Sequence, residues 1–451
     1  MRDDRKGPHS GEELLRALGL FDTAALVVGT IIGSGIFLVP AEIARAVHSA
    51  PGMLAVWGAG GLLTLLGALS LAELGAAMPN AGGIYSYITR AFGRLPGFLC
   101  GWMMLTVSTS GSIATLGAAV PIYLGGLLPL TPAGGKLASL AAILLFTAIN
   151  VAGVRSGALV QNVLTVLKVG GLAVMIAVIF LAPSPAVPSA APAPGGPVGL
   201  AAVGVALVAV LWAYEGWHDV AFAAGEIREP QRNLPRGLVA GTAAVVGLYL
   251  AANLAYLHVL SPEEIASSER VALTAIRKVA GEWGGKFLTA AIVCSILGAM
   301  NALVLAGPRA YYQMAKDGLF FEGMGRVHAT FRTPVPALLL QAAWACVLVL
   351  FIGGFSQLFT YVVFGGWIFF ALAVASVVVL RRKDPGMERP FRVPGYPLVP
   401  LLFVLAAAAL VANTLLASPR ESSIGLAFIS LGIPLYFLTA ASKRRGPRRL
   451  P

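Results

Sequence analysis

Charged residues make up only 12% of this chain of 451 residues, about half the share usual in soluble domains. With 57% hydrophobic residues and a mean hydropathy of +0.82, that scarcity excludes an ordinary soluble domain and points to an all-α polytopic membrane protein. Cysteine is also rare: Cys100, Cys294 and Cys346 each fall in an apolar stretch without paired spacing, which excludes a disulfide framework. The five histidines (His9, His48, His218, His258 and His328) are scattered singly, so neither metal nor other cofactor is expected. A pI near 9.9 would suggest nucleic acid if the basic residues formed one stripe. They sit instead in short loops between apolar runs, and no nucleic-acid partner is expected. The polar N-terminus lacks the apolar core of a signal peptide.

What the chain has in abundance is long apolar runs. A spanning helix needs roughly 20 apolar residues, and twelve candidates stand out: 22–48, 53–78, 95–127, 136–153, 157–182, 199–224, 237–260, 286–314, 335–353, 356–380, 398–417 and 423–441. With the N-terminus inside, 24 of the 32 basic residues fall on the inner side and 7 on the outer, and Lys168 alone lies deep within a span. That bias follows the positive-inside rule and predicts cytoplasmic termini in a multi-pass protein of the cell membrane. Residues 183–198 read as an extended Pro/Ala-rich outer linker. Ser261-Pro262-Glu263-Glu264 reads as a helix start in an outer cap.

Two of these runs are interrupted where a membrane helix should be most regular. The first carries Gly29-Thr30-Ile31-Ile32-Gly33-Ser34-Gly35-Ile36-Phe37, and the second breaks at Trp212-Ala213-Tyr214-Glu215-Gly216-Trp217. Unwound backbone survives at membrane depth only inside protein or beside a wet cavity. Two breaks in corresponding positions of two halves point to a carrier's binding site. The first and sixth spans run in opposite directions, which predicts a five-plus-five inverted repeat with discontinuous helices 1 and 6 and two helices over. The corresponding units are residues 1–19, 20–182, 183–198, 199–382, 383–442 and a basic tail at 443–451.

Depth brings four residues to one level. At 1.5 Å per residue, Gly33 and Lys168 lie about 16 Å from the inner end of their spans. Glu215 lies about 14 Å from the inner end of its span, and Ser295 about 14 Å from the outer end of span 8. In a hydrocarbon core about 30 Å thick, all four are at the midplane.

The amides of Gly33, Ser34 and Gly35 begin the outer half-helix, a position suited to a carboxylate. Carbonyls at Ile31 and around Ala213 suit an ammonium, so one pocket would hold an amino-acid zwitterion. Close helix packing through glycine is the competing explanation. The run lacks both a following Lys-Ser/Thr and GxGxxG spacing, which excludes a nucleotide loop. Lys168 is too deep to reach water by snorkelling and should face carbonyls or an acid. Glu215 is open to four roles: ammonium contact, proton site, partner of Lys168, or cap of the broken helix. Trp212 and Trp217 flank it, and either ring would occlude a ligand or pack in the core. Asp219 and His218 are expected nearer the inner half, along an aqueous path. Ser108, Ser112 and Asn301 are candidates for cavity lining or for helix–helix hydrogen bonds.

These segments carry a resemblance. Gly29–Phe37, Asn80-Ala81-Gly82-Gly83-Ile84-Tyr85-Ser86-Tyr87, the Trp212–Trp217 stretch, Glu226-Ile227-Arg228-Glu229-Pro230-Gln231-Arg232-Asn233-Leu234-Pro235-Arg236, Gly307-Pro308-Arg309 and Met314-Ala315-Lys316-Asp317-Gly318 resemble the amino acid–polyamine–organocation (APC) superfamily. Within it the chain is most similar to the L-type amino-acid transporter family, over nearly all its length. The resemblance implies the APC inverted-repeat fold and alternating access around a midplane site. It implies a carboxylate site at Ser34 and Gly35 with the Ile31 carbonyl, and a gating aromatic at Trp212, where many relatives resemble Phe. Glu215 stands where some relatives carry Gly and others an acid. Lys168 matches the span-5 lysine that replaces a bound sodium in sodium-independent relatives, with Ser295 as its neighbour. Animal members join a glycoprotein through a cysteine after span 3; none occurs near Gly125–Gly135, so no disulfide-linked glycoprotein subunit is expected.

The expected function is sodium-independent transport of neutral L-amino acids, as exchanger or proton-coupled symporter. Cationic amino acids or polyamines are the alternative that Glu215 encourages. A non-transporting amino-acid sensor is the alternative of another class, and a membrane enzyme lacks a metal cluster or a nucleophile–base pair.

Overall fold

The computed structural model describes residues 14–125, 128–183, 199–351, 355–417 and 419–444. Nearly all of the expected linker at 183–198, residues 1–13 of the first segment and residues 445–451 of the tail lie outside the described residues. Within them the chain is helical. One parallel bridge, Leu18 to Ile227, is the extended pairing present. The helices are α1 Leu20–Ile31, α2 Gly35–Val47, α3 Ala50–Ala77, α4 Gly83–Phe92, α5 Arg94–Met103, α6 Thr109–Leu124, α7 Pro132–Val151, α8 Val154–Leu181 and α9 Leu200–Ala213. They continue with α10 Pro230–Val259, α11 Pro262–Ser267, α12 Val271–Ala306, α13 Pro308–Lys316, α14 Val335–Phe351, α15 Phe355–Lys383, α16 Leu398–Ala417 and α17 Pro419–Arg444. Ser49, Thr131 and Ser261 cap α3, α7 and α11 by accepting a first-turn amide, and each cap precedes a proline in the first turn. That pairing starts a helix because the cap fills an orphan amide while proline needs none.

Helix α8 shows what surrounds the protein. Gln161, Thr165 and Lys168, spaced i, i+4 and i+7, are buried, whereas Leu159, Val163, Val166 and Leu167 are exposed. A helix with its polar stripe inward and leucine outward inverts the soluble pattern, as a helix in lipid must. By length and hydropathy, eight described helices suffice to cross a bilayer, or nine with α1 and α2 as one bent span. Each of the twelve expected runs contains helix among its described residues, but the run 199–224 is interrupted at 214–218, and the apolar stretches Ala202–Ala213, Val335–Phe351 and Ser422–Leu438 are shorter than a full crossing. The chain is thus a multi-pass membrane protein by eight or nine of those helices.

The two interruptions sit in the middle of the bundle. Helix α1 ends at Ile31, α2 starts at Gly35, and the pair bends by 43°. Helix α9 ends at Ala213, five residues of turn follow, and a 3-10 helix runs from Asp219 to Glu226. Helices α8, α10 and α12 pack against α1, and α3 and α2 against α9. Leu18 and Ala17 donate their amides to the Glu226 carbonyl at 2.9 and 2.8 Å, fastening the start of α1 to the end of the 3-10 helix.

Candidate functional site

The breaks touch one another. Gly216 has φ +113°, a left-handed value that glycine tolerates, and a Cβ there would stand 2.8 Å from the Thr30 carbonyl carbon. In that space Thr30 Oγ1 lies 2.9 Å from the Gly216 carbonyl. Tyr249 on α10 stitches the pair from behind, its hydroxyl lying 3.1 Å from the Ile31 carbonyl and 3.2 Å from that of Ala213. Its ring packs with Trp57 and Tyr214, centroids 5.5 and 5.1 Å away.

Lys168 braces the first break. Its ammonium donates to the carbonyls of Gly29 (2.9 Å), Ile32 (2.7 Å) and Ser295 (3.0 Å), which uses all three of its protons. The side chain is 2% exposed, so the charge is stabilised by three buried dipoles rather than by water or an acid. Ser295 contributes to Lys168 through its carbonyl. Its hydroxyl, with one proton to donate, lies within reach of the Ile32 and Gly33 carbonyls, at 3.1 and 2.9 Å. Gly29 lets α8 approach, since a Cβ there would collide with the Gln161 side chain.

In front of the breaks lies a cavity of about 70 Å³. Ile31, Gly33, Ser34, Gly35, Trp212, Ala213 and Glu215 line it together, and His218 and Asp219 join them. Lys168 and Ser295 lie behind the broken backbone and do not line it. Helix α6 adds Thr109, Ser112 and Thr115, and Ser108 comes from the turn before it, Met104–Ser108, a π-helix, an insertion that often marks functional sites. Ser34 is 1% exposed and its hydroxyl has no partner; neither has Oε2 of Glu215.

Several details differ from expectation. The Gly33 amide is not free but turns back onto the Ile31 carbonyl at 2.9 Å; Ser34 and Gly35 retain the helix-start amides, which have no partner within a helix. The Ile31 and Ala213 carbonyls, expected to be open, share the single hydroxyl proton of Tyr249. His218 and Asp219 are each 2% exposed and line the cavity rather than an aqueous path. Asn301 makes helix–helix bonds, accepting from Asn150 at 2.8 Å and donating to Gln161 at 2.9 Å. Arg309, near the inner end of the expected run 286–314, is fully buried and pairs with Glu226 at 2.8 and 3.0 Å.

The comparisons with known proteins agree with this architecture. A family model described as amino acid permease matches residues 18–438. The chain belongs to the amino acid permease family. It is 32% identical over 439 residues to the serine/threonine exchanger SteT of Bacillus subtilis (strain 168), covering 94% of this chain and 97% of that one. It is 32% identical to the b(0,+)-type amino acid transporter 1 of Mus musculus, covering 97% and 91%. It is also 32% identical to the large neutral amino acids transporter small subunit 2 of the same species, covering 95% and 82%. The permease is therefore a transporter of the APC superfamily and not an enzyme.

Proposed function

We propose that this permease is a sodium-independent secondary transporter of small neutral L-amino acids, as exchanger or proton-driven uptake system. The observation that carries the reading is the cavity between two mutually stitched helix breaks. A cavity of about 70 Å³, several times the roughly 10–15 Å³ needed to admit one water, suits a side chain as small as alanine's or serine's. The amides of Ser34 and Gly35 receive the substrate carboxylate. Hydroxyls at Ser108, Thr109 and Ser112 suit a hydroxyl side chain, which agrees with the substrates named for the Bacillus relative. The ammonium is received at the Ile31 and Ala213 carbonyls in place of the Tyr249 hydroxyl, with Glu215 beside it. Trp212 closes over the bound substrate. Lys168, braced on Gly29, Ile32 and Ser295, supplies the positive charge that a coupling sodium would otherwise bring.

The same reading assigns twelve crossings in an inverted five-plus-five repeat with units at the boundaries given above. It places the termini in the cytoplasm at the cell membrane and assigns no disulfide-linked subunit. Uptake and counterflow by purified protein in liposomes, against a panel of labelled amino acids with sodium replaced by choline, test it. Fast choline-supported exchange of serine, threonine and alanine is expected. A strict sodium requirement, or equal binding of amino acids and their decarboxylated amines, would refute the assignment.

A further inference from the structure

We propose that Glu215, His218 and Asp219 form a proton-carrying site in the wall of the substrate cavity, so that a proton from water is the co-substrate. This deepens the transport reading and rests on it. All three side chains line the cavity. Asp219 follows Glu215 by one turn, and His218 Nε2 lies 3.4 Å from Asp219 Oδ1. His218 Nδ1, on a ring 98% buried, has no partner, and neither has Glu215 Oε2 nor the buried Ser34 hydroxyl across the cavity.

No lysine or arginine among the described residues pairs with either carboxyl. Lys168 is committed to three carbonyls and Arg309 to Glu226. Residues 352–364 contain no lysine or arginine. The elements packed around the site bring apolar or phenolic groups. The Phe370 ring of α15 lies tilted, 4.2 Å from the His218 ring, with Trp217 edge-on at 5.8 Å. Tyr311 of α13 is within electrostatic reach of Asp219. Tyr214 beside the turn, Tyr85 and Tyr87 on α4 and Tyr249 on α10 are phenols, neutral at physiological pH.

Two unpaired carboxylates at the midplane would cost several kcal/mol each. The cluster avoids that cost by holding two protons. One is shared between His218 Nε2 and Asp219, where net charge is zero whichever atom carries it. The other sits on Glu215, a residue of the cavity wall whose buried Oε2 has no hydrogen-bond partner. When the cavity opens to the more alkaline side, Glu215 loses its proton to water and becomes an anion. That anion repels a substrate carboxylate, so a zwitterion enters from the acidic side together with the returning proton. Each cycle carries one neutral amino acid and one positive charge.

The test uses the full-length protein in liposomes with labelled L-serine, potential clamped, and a pH gradient alkaline inside. Accumulation of about tenfold per pH unit is expected for one proton per substrate. In Glu215→Gln the ratio of uptake with and without the gradient should fall to one, and in Glu215→Asp it should be kept. Infrared spectra of substrate-free protein in lipid should show a protonated carboxylic acid at neutral pH that disappears in Glu215→Gln and survives in Glu215→Asp. Absence of that band in the parent, or an identical gradient ratio in parent and Glu215→Gln, overturns the proposal. Failure of the parent to exchange any amino acid refutes the transport reading instead, and the infrared band still decides the protonation.

Discussion

The two helix breaks look alike in sequence and are held in opposite ways. At the first, the carbonyls of Gly29, Ile31, Ile32 and Gly33 all accept from side chains of other helices: Lys168, Tyr249 and Ser295. At the second, the carbonyls are satisfied by the turn itself, by Thr30 and by Tyr249, and the ionisable groups are its own Glu215, His218 and Asp219. One break is therefore a braced frame with its positive charge locked behind the backbone. The other carries titratable groups into the cavity. Unsatisfied carbonyls at this depth cost about 1–3 kcal/mol each, which is why the glycine-rich break needs outside donors.

The largest effect should come from removing the brace. Lys168→Ala leaves the Gly29 and Ser295 carbonyls without their side-chain donor and leaves Ile32 only the Ser295 hydroxyl. Thermal stability in detergent should fall by roughly 3 kcal/mol, and counterflow in liposomes by more than tenfold, with substrate binding less affected. Counterflow at the parent rate would mean that the frame holds without its cation.

Gly35→Val comes next. A Cβ at Gly35 would stand 2.8 Å from Ala213 Cα, a backbone atom that cannot swing aside, so the breaks would be forced apart. At Gly33 the nearest atoms are Leu116 Cδ2 and Ala299 Cβ, at 3.7 and 3.8 Å, ordinary contact. Gly35→Val should abolish serine binding measured by calorimetry, while Gly33→Ala should retain it with weakened affinity. Equal losses in the two variants would show that the docking of the breaks is not what matters.

Tyr249→Phe addresses the one group that both breaks share. Without the hydroxyl, two buried carbonyls lose a donor, at about 1–3 kcal/mol, and substrate-free protein should melt earlier. Because the substrate ammonium then fills vacated acceptors, serine should raise the melting temperature by more than it does in the parent. An unchanged or smaller rise would show that Tyr249 and the ammonium do not compete.

Trp212→Ala should act more mildly, on selectivity. Its ring reaches Gly35, Cζ3 standing 3.5 Å from a Cβ built there, so it spans the gap between the breaks at the cavity edge. Discrimination between alanine and leucine in a competition assay should relax by about tenfold, the scale set by buried methylenes in a pocket. A parental competition profile would make the ring packing alone.

The sequence made the first break legible because glycine and serine are rare company in an apolar run, and made Lys168 legible because a midplane cation has nowhere to snorkel. Tyr249 was not legible in the same way, since a tyrosine in an apolar helix resembles core. A signal existed: Tyr249, Asn253 and Tyr256 recur at i, i+4 and i+7, all buried, with Tyr256 directed at the Ile36 carbonyl at 3.4 Å. Nor does spacing reveal that Arg309 is interior, because its partner Glu226 lies 83 residues away. Helix boundaries were readable where a cap and proline coincide. The end of α9 was readable at the Trp212–Trp217 break, but the 3-10 helix Asp219–Glu226 was not, since that stretch stays apolar enough to pass for a continuing span.

The smallest expected effect sharpens the contrast between an acid with a cation and one without. Glu264, at the start of α11, receives the Lys278 ammonium at 2.9 Å and the Ser261 amide at 2.8 Å. The Lys278 hydrogen bond, and then that of Ser261, hold its carboxyl below the usual glutamate range. A lowered folded value contributes stability that is fully present above the unfolded pKa, about 4.3, and is lost as pH falls through the folded one. With both side chains over a third exposed, solvent screens the pair and the effect stays local. Ser261→Ala should cost about 1 kcal/mol of helix-start stability, read as roughly fivefold faster hydrogen exchange over Pro262–Ser267 at neutral pH. Glu264→Gln should remove the additional opening of this helix below about pH 4.3 while leaving transport at its parental rate. Unchanged acid sensitivity would show that the cap, and not the ion pair, holds this turn. Glu215 has neither kind of support, so its Gln variant should alter transport where that of Glu264 does not.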